Sequence, residues 1–187
     1  ANTTADDSII TNITGSADNT SVTINAGAIG VELGTGGATN LGTGSLVINS
    51  DGAVDLNDQT LTATSFTHTG SGAVTFTTAA SNTVATVVTG GGDDAITISN
   101  TAASSSVTTG AGDDTITLGV ATTSAKVTTI DGGDDFDTVA LADGGLDFGA
   151  GTLTMTNVER ILLDETGADN FTGTIAAATL DGQDYIL

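Results

Sequence analysis

The chain has 187 residues, a net charge of −21, two basic residues (Lys126 and Arg160), one histidine, and no cysteine, proline or tryptophan. Two cations cannot form a basic stripe for nucleic-acid phosphates or an anionic membrane surface. The missing cysteines exclude disulfides, zinc–thiolate centres and thiol nucleophiles. No apolar run approaches the ~18 residues needed to cross a bilayer, so neither membrane insertion nor nucleic acid is expected.

Order is expected despite the acid excess, because charged residues are only 13% of the chain and mean hydropathy is +0.20. Aromatics are 3%, so the core must be thin and made of Val, Ile, Leu and Ala. The straight-chain helix formers are scarce. Taken in chain order, short alternating segments recur at residues 21–25, 46–49, 53–56, 73–77, 95–99, 115–118, 138–141 and 152–155. Each sets Val, Ile, Leu, Phe or Met on one side and mostly Thr, Ser or Asn on the other, the period of a half-buried strand. Gly, Asn and Asp separate them, residues that tolerate the positive φ of tight turns.

The middle of the chain selects the architecture. Gly90-Gly-Gly-Asp-Asp-Ala-Ile96 returns as Gly110-Ala-Gly-Asp-Asp-Thr-Ile116, 20 residues on, and Gly132-Gly-Asp-Asp-Phe-Asp-Thr-Val139 is a looser third copy. A fixed period means that equivalent residues stack on successive coils, which a sandwich has no reason to do. The prediction is an all-β parallel β-solenoid, β-helix or β-roll-like, with about 20 residues per coil. Ile96, Ile116 and Val139 should form one inward ladder. A single domain over 1–187 is expected, regular over 88–142 and looser in both flanks, with about nine coils at ~4.8 Å each.

These turns resemble the nonapeptide repeat of RTX proteins, Gly-Gly-x-Gly-x-Asp-x-apolar-x, a calcium-binding β-helix repeat. In the first copy Gly90 and Gly92 take the second and fourth positions, Asp94 the aspartate and Ile96 the apolar residue. In the second, Gly110, Gly112, Asp114 and Ile116 do so. In the third, Gly132, Gly133, Asp137 and Val139 fit, and Asp135 replaces a glycine. The resemblance implies Ca2+ between turns of adjacent coils, with Asp94 paired to Asp114 and Asp114 to Asp137. That suits calcium, a hard cation taking six to eight carboxylate and carbonyl oxygens. Asp93 and Asp113 occupy the variable position, as candidate ligands or solvated acids. Asp131, Asp134 and Asp135 form a dense acid cluster that repels itself unless a cation intervenes. The return half at 99–107 carries no acid, so one calcium-lined edge and one plain edge are expected. Asp51, Asp55 and Asp58 read as a solvated turn. Gly167-Ala-Asp-Asn-Phe171 is a partial echo, and Ala5-Asp-Asp-Ser-Ile9 is a fainter one.

No catalytic site emerges. His68 is the only imidazole and has no acid or nucleophile pattern around it, and the carboxylates sit on repeat edges away from any cleft, so no enzyme is expected. Glu159-Arg160 reads as a strand-edge ion pair worth little. In style the chain also resembles surface-layer proteins of Gram-negative bacteria, rich in Thr, Ala and Gly, with Asn157-Val-Glu-Arg-Ile161 after the acidic turns. That resemblance implies an extracellular, calcium-held structural protein that assembles with itself into a surface layer or biofilm-matrix fibre, and that leaves the cell by type I secretion. Cell-surface polysaccharide is a further partner. The opening at Ala1 shows no signal-peptide pattern, in keeping with a removed leader or another export route. Two alternatives stand beside it: an adhesin or ice-binding solenoid module, whose Thr-x-Thr pairs do not share one offset, and the RTX tail of a secreted hydrolase.

Overall fold

The computed structural model describes residues 8–10, 13–14, 21–33, 38–40, 44–56, 60–77, 84–98, 105–118, 127–141, 152–163 and 184–186. Among them there is no helix, and every paired strand is parallel to its neighbours. Three sheets run along the molecule. The first takes, in spatial order, β1 (Ser8–Ile10), β4 (Val31–Leu33), β7 (Val54–Asp55), β10 (Val74–Thr77), β12 (Ala95–Ile98), β14 (Thr115–Leu118), β16 (Thr138–Leu141), β18 (Arg160–Leu163) and β19 (Asp184–Ile186). The second holds β3 (Val22–Gly27), β6 (Ser45–Ser50), β9 (Ser65–Thr69), β11 (Thr86–Val88), β13 (Ser105–Ala111), β15 (Val127–Asp134) and β17 (Thr152–Thr156). The short β2 (Ile13–Thr14), β5 (Ala38–Asn40) and β8 (Thr60–Thr62) make the third.

This is a β-solenoid with roughly 22 residues per turn. The expected 20 holds where Thr75 pairs with Ala95 and Ala95 with Thr115. Thr115 then pairs with Thr138, and on the other side Val31 pairs with Val54, each 23 residues apart. Coil length thus varies while strand register is kept.

Register explains the core. Phe76, Ile96, Ile116, Val139 and Ile161 stack as one inward column, so the Ile96–Ile116–Val139 ladder is as expected. Leu46, Phe66, Val87, Val107 and Ile130 face them from the second sheet. All are at most 2% exposed. With so few aromatics the lumen is filled by branched aliphatics. Phe66 and Phe76 meet inside it, ring centroids 5.1 Å apart. Thr and Ser take the outward positions, where β-branched residues still favour the extended backbone.

Candidate functional site

The acidic turns join the second sheet to the first. Gly110 shows why they are glycine-rich. Its φ is +105°, and a Cβ there would lie 1.9 Å from the Gly90 carbonyl oxygen of the coil before. Gly133 repeats this above Gly110 (φ +112°, 1.9 Å). Gly90 itself stands over Gly70, and Gly92 and Gly112 adopt φ +88° and +123°. The third acidic turn puts Asp135 in that left-handed region (φ 82°), a conformation that costs a non-glycine residue stability.

Inside the turn one column changes character along the molecule. Val54 and Val74 occupy it in the early coils, and Asp94, Asp114 and Asp137 continue it. The Val54 N–H donates to the main-chain carbonyl of Ala73. From Val74 onward a side chain takes over as acceptor. Asp94 Oδ1 accepts the Val74 N–H (2.7 Å), Asp114 Oδ1 the Asp94 N–H (2.8 Å), and Asp137 Oδ1 the Asp114 N–H (2.9 Å). Each inner aspartate therefore reaches back one coil. The outer aspartates reach forward: Asp93 Oδ1 accepts the Asp113 N–H (3.0 Å) and Asp113 Oδ1 the Phe136 N–H (3.1 Å). The doublet stitches each turn to both neighbours, giving the variable position a structural role that spacing alone did not suggest.

The inner three are at most 2% exposed, and Oδ2 of each is sealed from solvent without a hydrogen-bond partner. Burial pushes the Asp94 carboxyl up to about 7, against the pull of the Thr89 hydroxyl beside it and the Val74 N–H, with Asp114 and Asp93 adding repulsion. That hydroxyl donates its own hydrogen to the Thr109 carbonyl (2.9 Å). Asp137 is raised to about 6 by burial, and Asp114 is raised for the same reason. A column of carboxylates held at ~4.8 Å spacing in low dielectric has an unmet need for positive charge.

Glu159 belongs to the same column. Its Oε2 accepts the Asp137 N–H at 2.7 Å, where the sequence suggested only an ion pair with Arg160. Arg160 instead sits 4.9 Å over the Phe136 ring. A signal was present: a left-handed residue stands two positions before each inner acid, as Gly92, Gly112, Asp135 (φ 82°) and Asn157 (φ 50°). The dense acid cluster disperses. Asp131 accepts from Asn157 Nδ2 (2.7 Å), Asp134 and Asp135 are exposed, and Asp137 alone turns inward. Of the expected solvated turn, Asp51 is exposed and accepts the Ser71 N–H (3.2 Å), Asp55 lies half-buried on β7, and Asp58 falls outside the described residues, as do Lys126, the echo at 167–171, and Asp6 and Asp7 of the N-terminal echo.

Among the described residues no three His, Asp or Glu side chains converge tightly enough to hold an ion by themselves. An ion at the turns must complete its shell from main-chain carbonyls and water, an all-oxygen donor set that fits calcium and not zinc. His68 is fully buried. Its Nε2 lies 2.9 Å from the Ser50 carbonyl oxygen, and burial lowers its pKa.

The outer face of the second sheet carries an aligned feature. Ser65, Thr86, Ser106, Thr129 and Thr154 fall in one register column, preceded by Ser45 and by Ser21, whose hydroxyls bond each other at 3.0 Å. On the first sheet Thr77, Thr97 and Thr117 align, and Thr75 and Thr115 flank Ala95. The threonine pairs thus do stack, contrary to the sequence reading, because the 20-residue coils bring them into register. No known protein family, no curated protein and no solved structure matches the chain.

Proposed function

We propose that this chain is a structural, secreted, calcium-binding protein of a bacterial surface layer or extracellular matrix, assembling with copies of itself. One observation carries the reading: three buried carboxylates stacked at coil spacing, each with one oxygen lacking any donor. A protein evolved for solubility alone has no use for acids inside a turn. Filling the column with Ca2+ links folding to the ion, since metal bound only by the native state stabilises it. Assembly follows from charge. At −21 the copies repel one another, and divalent ions both fill the turns and bridge exposed acids. The RTX-like spacing and the surface-layer style support extracellular use and type I export, with cell-surface polysaccharide as a further partner. Among the described residues the turns present carboxylates stacked along one edge of the solenoid, an arrangement that favours a scaffold over an enzyme. Calorimetric titration with Ca2+ tests the reading: a loss of bound ions when Asp94, Asp114 and Asp137 are all changed to Asn supports it, and no binding to the natural chain ends it.

The aligned hydroxyl column favours a second reading, an adhesin or ice-binding module whose flat Ser/Thr face meets an ordered surface. Thermal hysteresis or pull-down on crystalline polysaccharide, unaffected by EGTA, would support that reading over the first.

A further inference from the structure

A second pair of acids lies away from the turns. β4 and β7 are neighbours in the nine-stranded sheet, and their register sets Glu32 beside Asp55. The residues flanking them, Val31, Leu33, Val54 and Leu56, are all in the core. Alternation therefore puts both acids on the outer face, with backbones about 4.8 Å apart. Glu32 is nevertheless only 9% exposed, and its Oε2 is sealed from solvent without a hydrogen-bond partner. Like charges side by side on a sheet are destabilising, and a buried carboxylate oxygen lacking a donor adds to that. Arg160, the one Lys or Arg among the described residues, stands on β18, five strands beyond β7 and about 24 Å along the sheet.

We propose that Glu32 and Asp55 hold one divalent cation of the calcium class on the outer face of this sheet, at a site separate from the turn column. Two carboxylates binding through both oxygens give up to four of the six to eight ligands calcium takes, and water supplies the rest on the half-buried Asp55 side. The donor set is all oxygen, which disfavours zinc and copper. Such an ion joins adjacent coils in the N-terminal part of the solenoid, where the turn column holds valines instead of aspartates. The two halves of the molecule would then both be pinned by calcium, through different chemistry.

Equilibrium dialysis of the full chain against Ca2+, counting bound ions per chain, tests this. Glu32→Gln keeps the shape and removes the charge. The variant is expected to bind one ion fewer, or to bind that ion at least tenfold more weakly, while its melting temperature in EGTA equals or exceeds that of the natural chain. The triple variant Asp94→Asn, Asp114→Asn and Asp137→Asn separates the two sites: it is expected to retain one ion, which adding Glu32→Gln removes. Should Glu32→Gln fail to fold, Asp55→Asn at the half-exposed partner carries the same measurement. An ion count and an affinity both unchanged in the folded variant overturn the proposal, whatever the turns bind.

Discussion

Asp94 offers the most informative perturbation. Its carboxyl is raised by burial from 3.8 to about 7. The folded chain then holds this proton more tightly than the unfolded chain does. Its contribution to stability is full below pH 3.8 and is lost as pH rises through 7. Exposed acids are ionised throughout the range from about pH 6 to 8, so the general repulsion among them stays constant there. Asp137, raised to about 6, adds a smaller loss of the same sign. His68, lowered by burial, acts in the opposite direction below 6.5, and it is common to every variant compared. At 1.36 kcal/mol per pH unit, the Asp94 linkage amounts to about 1.3 kcal/mol between pH 6 and 8, and screening by water at the rim of the turn trims it to about 1 kcal/mol. For a chain of this size that is about 2–4 °C in melting temperature. Circular-dichroism melts in EGTA at pH 6, 7 and 8 should therefore show the natural chain losing this amount. Asp94→Asn keeps an oxygen for the Val74 N–H and should lack that loss. With saturating Ca2+ the slope of the natural chain should vanish, because the cation holds the carboxylate ionised. Equal slopes for the two chains in EGTA would refute the burial argument.

Three further outcomes follow from the turn geometry. Asp114→Asn should weaken Ca2+ binding by about tenfold or more, close to 1.4 kcal/mol, whereas the exposed Asp113→Asn should change it little; calorimetry distinguishes them, and equal losses would mean the inner column is not the ligand row. Asp135→Gly should stabilise the chain by about 0.5–1 kcal/mol in a denaturant melt, because it relieves a left-handed non-glycine residue. Gly110→Ala should cost upwards of about 3 kcal/mol, seen as loss of soluble folded protein, since its Cβ would lie 1.9 Å from the Gly90 carbonyl oxygen.

How much of this was legible depended on whether a residue's role is set by period or by direction. The Ile96–Ile116–Val139 ladder and the parallel coil could be read directly, because a 20-residue repeat forces equivalent side chains to stack. The separation of Asp94, Asp114 and Asp137 from their Asp neighbours was legible for the same reason. The opposed reach of Asp93 and Asp94 was not, because it depends on which neighbouring N–H each carboxylate finds once the coils are stacked. In sequence Glu159 reads only as a partner for Arg160 because the fourth acidic turn carries no glycine: Asn157 supplies the left-handed residue, and a longer side chain spans the gap to the Asp137 N–H. The serine and threonine column of the second sheet was hidden by coil-length changes, such as the 23-residue step from Ser106 to Thr129, which shift sequence offsets while leaving strand register intact. Asp55 was grouped with Asp51 as turn because composition does not reveal that Glu32 faces it across a strand pair.

The central claim is that calcium, filling an acid-lined solenoid, turns a self-repelling chain into an assembling one. Light scattering with negative-stain imaging across a Ca2+ titration tests it most directly. The expected result is regular fibres or sheets at millimolar Ca2+ that return to monomers on chelation, with the Asp94→Asn, Asp114→Asn, Asp137→Asn chain failing to assemble. A natural chain that stays monodisperse and monomeric at millimolar Ca2+ and high protein concentration would contradict it.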